Sequence, residues 1–326
     1  MADMSTKTLA KPIMKLLICD FDETITLRDT IFPLAQLAYV EKPQFKPVWK
    51  HFEETYMEGY TKLQPRFETG RSLPLLKPKR DVITVSNYRE IFASELQYQR
   101  QCREIELNSI HEMERKSLFR DVTTDAVVEY VRNNFNHSVE TILRPGFSHC
   151  AASAVNCMGF ELRAISINWS RELIEAVIPM GLIHPENIHC NDLLLKNDVY
   201  TGEFSKGLLT GSDKEALLSR MLDESNSGNA DCWYVGDSET DLLAILHPGV
   251  NGVLLLDPEE NESKFLKVTT KILGLAKSDM EDFAGDKAVG HLKFTSKQAH
   301  NGKDTACYIA KTWADVETLL KQLATV

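Results

Sequence analysis

The chain has 326 residues, 43% hydrophobic and 26% charged, which excludes a disordered, collagen-like or disulfide-dense protein and suggests about two domains. Lys and Arg number 37 against 47 Asp and Glu, and the formal charge of −10 argues against a general nucleic-acid binder. A local basic pocket stays compatible with that balance, because net charge governs steering and solubility rather than any one site.

No apolar run approaches the ~18 residues of a membrane helix. Met1 to Lys11 lacks the apolar core of a secretory signal. The seven cysteines are scattered and contain no C-x-x-C pair, as in a reduced protein. A cytoplasmic location is therefore expected, with neither membrane nor nucleic acid as partner. The histidines show no zinc-site spacing.

The first element, Ile13 to Cys19, is a short apolar run of the kind buried on both faces of a sheet. It ends abruptly in Asp20-Phe-Asp-Glu-Thr-Ile-Thr26. Residues 29–143 then read as a helical module, with apolar spacings of three and four in Glu90 to Leu96 and Ala126 to Val131. A polar, Pro-containing stretch from Gln64 to Pro78 divides it. After Arg144-Pro-Gly146 the pattern alternates. Phe147 to Met158 reads as helix, Phe160 to Ser166 as strand, Glu172 to Met180 as helix and Asn187 to Cys190 as strand. Val199 to Leu209, with Gly202 and Gly207, suggests a hairpin. Lys214 to Leu222 is a helix with Ser212 as N-cap, and Cys232 to Gly236 a strand. Asp241 to Leu246 is a helix and Gly252 to Leu256 a strand. Gly285 to Asp304 reads as a polar loop, and a closing helix starts near Thr312. This alternation predicts an α/β protein with a Rossmann-like parallel sheet, a core of residues 1–28 and 144–326, and an inserted helical module at 29–143.

Ligands of such sheets bind beyond the carboxyl ends of the strands. Those ends carry Asp20 and Asp22, then Ser166, then Asp237 with Asp241 a turn later, while Lys214 opens the preceding helix. Carboxylates gathered at one point repel and raise one another's pKa values. A hard cation such as Mg²⁺ relieves that repulsion through oxygen ligands. Asp20 suits a nucleophile, Asp22 a proton donor and acceptor, and Ser166 and Lys214 the binding of phosphoryl oxygens. Read blandly, the acids cap turns, Ser166 is a buried strand serine, and Lys214 is solvated.

Asp20-Phe-Asp22-Glu-Thr24, Ser166, Lys214 and Gly236-Asp237-Ser-Glu-Thr-Asp241, in that order, resemble the four motifs of the haloacid dehalogenase superfamily. Cys190-Asn-Asp-Leu193, Thr201-Gly202 and Gly211-Ser-Asp-Lys214 resemble its phosphoserine-phosphatase-like subgroup. The resemblance implies a Rossmann-like core with an inserted cap over residues 29–143. It implies Asp20 as phosphorylated nucleophile and Mg²⁺ ligand, and Asp22 as general acid/base ligating through its carbonyl. Asp237 becomes a further ligand, Asp241 a supporting acid, and Ser166 and Lys214 the phosphate-binding pair. The implied partner is a small phosphorylated metabolite.

Two departures bear on specificity. Glu23 stands where the subgroup often carries Gly or Ser, and Ser166-Ile-Asn-Trp-Ser170 lacks the Gly-Gly that often follows this Ser. Asp29 and Trp169 are candidate substrate-recognition residues, against a surface acid and a core aromatic. Arg66, Arg71 and Arg89 could meet an anionic substrate tail, though each fits a surface charge. Phosphoserine, thiamine or pyridoxal phosphates, and sugar or polyol phosphates stay open. A phosphotransferase, or a non-catalytic regulator on the same scaffold, is the alternative.

Overall fold

A computed structural model describes residues 14–67, 73, 83–135, 142–224, 230–300 and 303–323. Its centre is a seven-stranded sheet. β1 is Lys15–Cys19, β2 Glu161–Ile165, β3 Ile188–His189, β6 Asp231–Gly236, β7 Asn251–Leu255, β8 His291–His300 and β9 Lys303–Ala310. Strand order is β3-β2-β1-β6-β7-β9-β8, parallel except for the β8 edge. Chain order runs outward from β1 to one side through β2 and β3, then returns to fill the other side from β6. The switch between β1 and β6 opens a crevice at the carboxyl edge of the sheet, where α/β proteins bind ligands.

Period-two alternation divides the sheet's apolar residues between two layers. Leu17, Cys19, Trp233 and Val235 face one core, while Leu16, Ile18, Cys232 and Tyr234 face the other. Phe147, Cys150, Ala151 and Ala154 of α5 (Phe147–Met158) and Trp313, Val316 and Leu320 of α11 (Trp313–Leu323) cover the first. Leu218 and Met221 of α7 (Gly211–Glu224), Ala244 and Ile245 of α8 (Leu242–Ile245), Phe265 of α9 (Glu262–Leu266) and Met280 and Phe283 of α10 (Lys277–Gly285) cover the second.

The helices α1 (Ile31–Glu41), α2 (Trp49–Phe67), α3 (Tyr88–Lys116) and α4 (Thr124–Phe135) lie in the chain between β1 and α5. The chain leaves and re-enters through a paired stem. Thr26 and Leu143 form an antiparallel bridge, with Leu27 N–H donating to Ile142 C=O at 2.8 Å and Arg144 N–H to Ile25 C=O at 2.8 Å. Arg66 lies in α2 and Arg89 is exposed on α3, while Arg71 and most of the Gln64 to Pro78 stretch fall outside the described residues.

Three expectations need correction. The hairpin is β4 (Leu193–Lys196) and β5 (Val199–Phe204), not Val199 to Leu209. Its turn is Asn197-Asp198, both at positive φ (55° and 60°), the backbone that a two-residue turn with the strands' own twist requires. Ser212 is inside the first turn of α7 rather than its cap. Thr210 precedes that helix, and Asp213 Oδ2 accepts from its N–H at 3.0 Å, the back-reaching half of a capping box. Finally, most of Gly285 to Asp304 is strand β8 and the start of β9 rather than loop. An edge strand needs only one apolar face, which Leu292 and Phe294 supply by packing on the second core. Among the described residues no helix is long and apolar enough to cross a membrane.

Candidate active site at the carboxyl edge of the sheet

Asp20 follows β1 directly, its N–H donating to Val235 C=O of β6 at 2.9 Å. The backbone then folds on itself, as Ile25 and Thr26 N–H groups both donate to Phe21 C=O at 2.9 Å. Trp313 of the closing helix fixes this loop from outside, its Nε1 donating to Thr24 C=O at 3.0 Å. Asp237 follows β6, and Thr24 Oγ1 donates to its Oδ1 at 2.9 Å. The carboxylates of Asp20, Asp237 and Asp241 converge, with one oxygen of each within 4.8 Å of the others. All three are buried.

Lys214 is fully buried in the first turns of α7. Its Nζ lies 2.7 Å from Asp241 Oδ1 in an aligned hydrogen bond, and 2.8 Å from Asp20 Oδ1 as an ion pair off hydrogen-bond alignment. Burial alone pulls an ammonium pKa down, but Asp20 and Asp241 together carry that of Lys214 above its ordinary value. Burial, and next the Asp241 charge, push Asp20 well above the usual carboxylate range despite the opposing Lys214.

Asp241 is saturated. Its Oδ1 also accepts from Tyr234 Oη at 2.8 Å, and its Oδ2 accepts from the Asp237 N–H, the Ser238 N–H and Ser238 Oγ at 3.1, 3.1 and 2.9 Å. Burial would raise its carboxyl, but the Lys214 charge, with the hydrogen bonds from Lys214, Tyr234 and Ser238, outweighs that and holds it below the ordinary value. The absent side chain of Gly236 makes the arrangement possible, because a Cβ there would overlap the Asp241 carboxylate. Asp241 therefore orients Lys214 and the Asp237 turn rather than offering a free ligand oxygen.

Asp22 is held on the other side. Thr30 donates to its Oδ1 through N–H at 2.7 Å and Oγ1 at 2.5 Å, and Asn168 Nδ2 donates to its Oδ2 at 2.9 Å. Burial, followed by the charge of Asp29, pushes its carboxyl up to about 6. Ser166 is buried just past β2, and its Oγ accepts from the Asn168 N–H at 3.0 Å. The long helix α3 reaches this edge through Gln99, whose Oε1 accepts from the Gly211 N–H at 3.2 Å.

Asp20 and Asp237 together offer a set of oxygen donors that fits a hard divalent cation. One residue competes for it. Lys264 of α9 pairs with Asp237 Oδ2 and, at 2.7 Å, with Glu23 Oε2. Neither Lys264, Thr30 nor Asn168 carried a motif signal. Thr30 and Asn168 reach Asp22 from two turns 138 residues apart in the chain. Glu23 has φ 56°, the left-handed backbone that favours the Gly common at this position in the subgroup.

Asp29 and Trp169 lie together beside this centre rather than in it. Both line a cavity of about 220 Å³ between α2, α3 and the sheet edge, with Ile167 and Leu209 also in its lining. Asp29 also receives the N–H groups of Ile31 and Phe32 at 3.3 and 3.2 Å at the start of α1. Trp169 packs edge-on against Phe119 and Phe204 and also lines the cavity.

The mostly parallel α/β sheet, with these motifs at the carboxyl edge beside β1, has a haloacid-dehalogenase-like fold of the phosphoserine-phosphatase-like kind. Cold tolerance protein 1 of Saccharomyces cerevisiae is 41% identical over 319 residues, spanning 94% of this chain and 98% of that protein, and the chain belongs to its family. The Bifunctional TH2 protein, mitochondrial, of Arabidopsis thaliana is 23% identical over 162 residues, which are 48% of this chain but only 25% of that protein. Among solved structures, a phospho-aspartyl intermediate analogue of phosphoserine phosphatase aligns over 95% of this chain and 99% of its own, with a TM-score of 0.46 and 15% identity. No protein-family model matches the chain.

Proposed function

We propose that the chain is a Mg²⁺-dependent phosphomonoesterase acting on a small phosphorylated metabolite through an aspartyl-phosphate. The observation that carries this reading is the buried Asp20 carboxylate, 2.8 Å from the Lys214 ammonium and clustered with Asp237 at the carboxyl edge of β1. A carboxylate so placed can act as a nucleophile, with the Lys214 ammonium beside it to hold the phosphoryl oxygens. Asp20, Asp237 and the Asp22 carbonyl would hold a divalent cation, which would neutralise charge on the phosphoryl oxygens.

The substrate phosphate rests against Ser166 Oγ and Lys214 Nζ. An Asp20 oxygen attacks phosphorus, the ester P–O bond breaks, and the leaving oxygen takes the Asp22 proton. Asp22 then accepts a proton from water as that water attacks phosphorus, which frees phosphate and restores the Asp20 carboxylate. Thr30 and Asn168 aim Asp22 throughout. Residues 29–143 act as a cap over a core of 1–28 and 144–326, swinging on the Thr26–Leu143 stem and excluding water.

Hydrolysis of p-nitrophenyl phosphate by purified protein tests this reading. Activity that requires Mg²⁺ and vanishes on chelation supports it. No hydrolysis of that ester or of a panel of phosphorylated metabolites, with no Mg²⁺ binding, overturns it in favour of a regulatory role.

A further inference from the structure

We propose that the cavity between α2, α3 and the sheet edge receives the leaving group of the substrate, and that this group is an aromatic cation, a nitrogen heterocycle bearing positive charge. The proposal rests on the phosphatase reading for the word "substrate", but the cavity's preference for a cationic ring stands on its own walls.

Position comes first. Ile167 and Leu209, which line the cavity, are the chain neighbours of Ser166 and of the turn that begins α7, so a group esterified to phosphate at Ser166 and Lys214 enters here. Size comes next. A cavity of ~150 Å³ accommodates benzene, so about 220 Å³ takes one substituted ring.

The walls select the chemistry. Trp49, Tyr56 and Trp169 present aromatic surface. Trp169 is braced by Phe119 and Phe204, and Trp49 packs on Phe52 with ring centroids 5.8 Å apart, so these faces are pre-positioned. Aromatic faces attract cations through their quadrupoles.

Charge points the same way. The ionisable side chains of the lining are Asp29 and Glu53, both exposed at the rim, the half-buried Glu106, and Tyr56. No Lys or Arg lines the cavity among the described residues. Tyr56 and Tyr60 hydroxyls both donate to Glu106 Oε1 at 2.9 Å, and among the described residues no donor is bonded to Oε2. That oxygen is available to a cationic N–H or ring. An anionic tail meets the carboxyl groups of Asp29, Glu53 and Glu106 and no counter-charge in the lining. A sugar or polyol finds too few polar partners for its hydroxyls on a mainly apolar wall.

A matched pair of esters isolates the charge. (N-methylpyridinium-3-yl)methyl phosphate and benzyl phosphate share shape and leaving oxygen but differ by one positive charge. The expected kcat/KM with Mg²⁺ favours the pyridinium ester by at least about tenfold, and Glu106→Gln narrows that ratio. The corresponding alcohols separate this proposal from the phosphatase reading, because they bind without turnover. Quenching of Trp49 and Trp169 fluorescence should saturate with the pyridinium alcohol at least about tenfold below the concentration benzyl alcohol needs. Equal binding of the two alcohols, or a preference for benzyl alcohol, overturns the cavity assignment whether or not either ester is hydrolysed. Selective binding of the pyridinium alcohol with neither ester hydrolysed supports the cavity assignment and counts against the phosphatase.

Discussion

Replacing Lys214 with Met removes the only ammonium within reach of two buried carboxylates among the described residues, Asp20 at 2.8 Å and Asp241 at 2.7 Å. Lysine and both acids are buried, so water cannot replace the lost charge. Breaking such a pair costs about 3–5 kcal/mol, mostly as the penalty of the stranded charges. For a chain of this size each kcal/mol moves the melting temperature by roughly 2–4 °C, so the variant should melt roughly 6–20 °C lower in chelator at neutral pH. Differential scanning fluorimetry and calorimetry read this directly. Adding Asp241→Asn to the Lys214→Met protein removes one stranded charge and should recover part of the loss, a coupling that a double-mutant cycle measures. A Lys214→Met protein as stable as the parent would refute the reasoning. So would a double variant whose loss equals the sum of the two single losses.

Two further outcomes follow from the same geometry. Lys264 competes for Asp237 Oδ2, so Lys264→Met should tighten Mg²⁺ binding, read by thermal shift against Mg²⁺ concentration. Weaker binding would instead make Lys264 an orienting partner of Asp237. Burial pushes the Glu106 carboxyl up to about 7. The groups around it are Tyr56 and Tyr60 of α2, Cys102 on its own helix, and Glu53 and Asp29 at the rim. Its folded pKa lies above the unfolded value, so the stability it contributes is lost as pH rises towards and through 7. Glu106→Gln should therefore melt higher than the parent at pH 8 and close to it at pH 5. The pyridinium alcohol should bind the parent more tightly as pH rises from 6 to 8, and the variant without that trend.

Asp20 and Asp237 were legible because each follows a strand directly. A short apolar run that stops in Asp20, or in Gly236-Asp237, fixes a carboxylate at the sheet edge from local sequence alone. Lys214 was legible only through its spacing to those acids. Thr30, Asn168 and Lys264 were not, because turns and a distant helix deliver them, and no period or motif marks residues that meet only in the tertiary structure. The edge hairpin β8–β9 was misread for a related reason. An edge strand facing solvent on one side carries polar residues such as the exposed Lys293, and composition then resembles a loop. Asn301-Gly302, between the paired His300 and Lys303, was the available signal. The β4–β5 turn was likewise marked by Asn197-Asp198, whereas Gly202 sits within a strand beside Arg120.

The account turns on whether phosphate passes through Asp20. The direct measurement is acid quenching of the protein during turnover of a ³²P-labelled phosphoester with Mg²⁺, followed by peptide mapping of the label. Label on Asp20 in the parent chain, and none together with no turnover in Asp20→Asn, is the predicted result. Turnover that proceeds with Asp20 unlabelled, or an Asp20→Asn protein that keeps most of its activity, would contradict it.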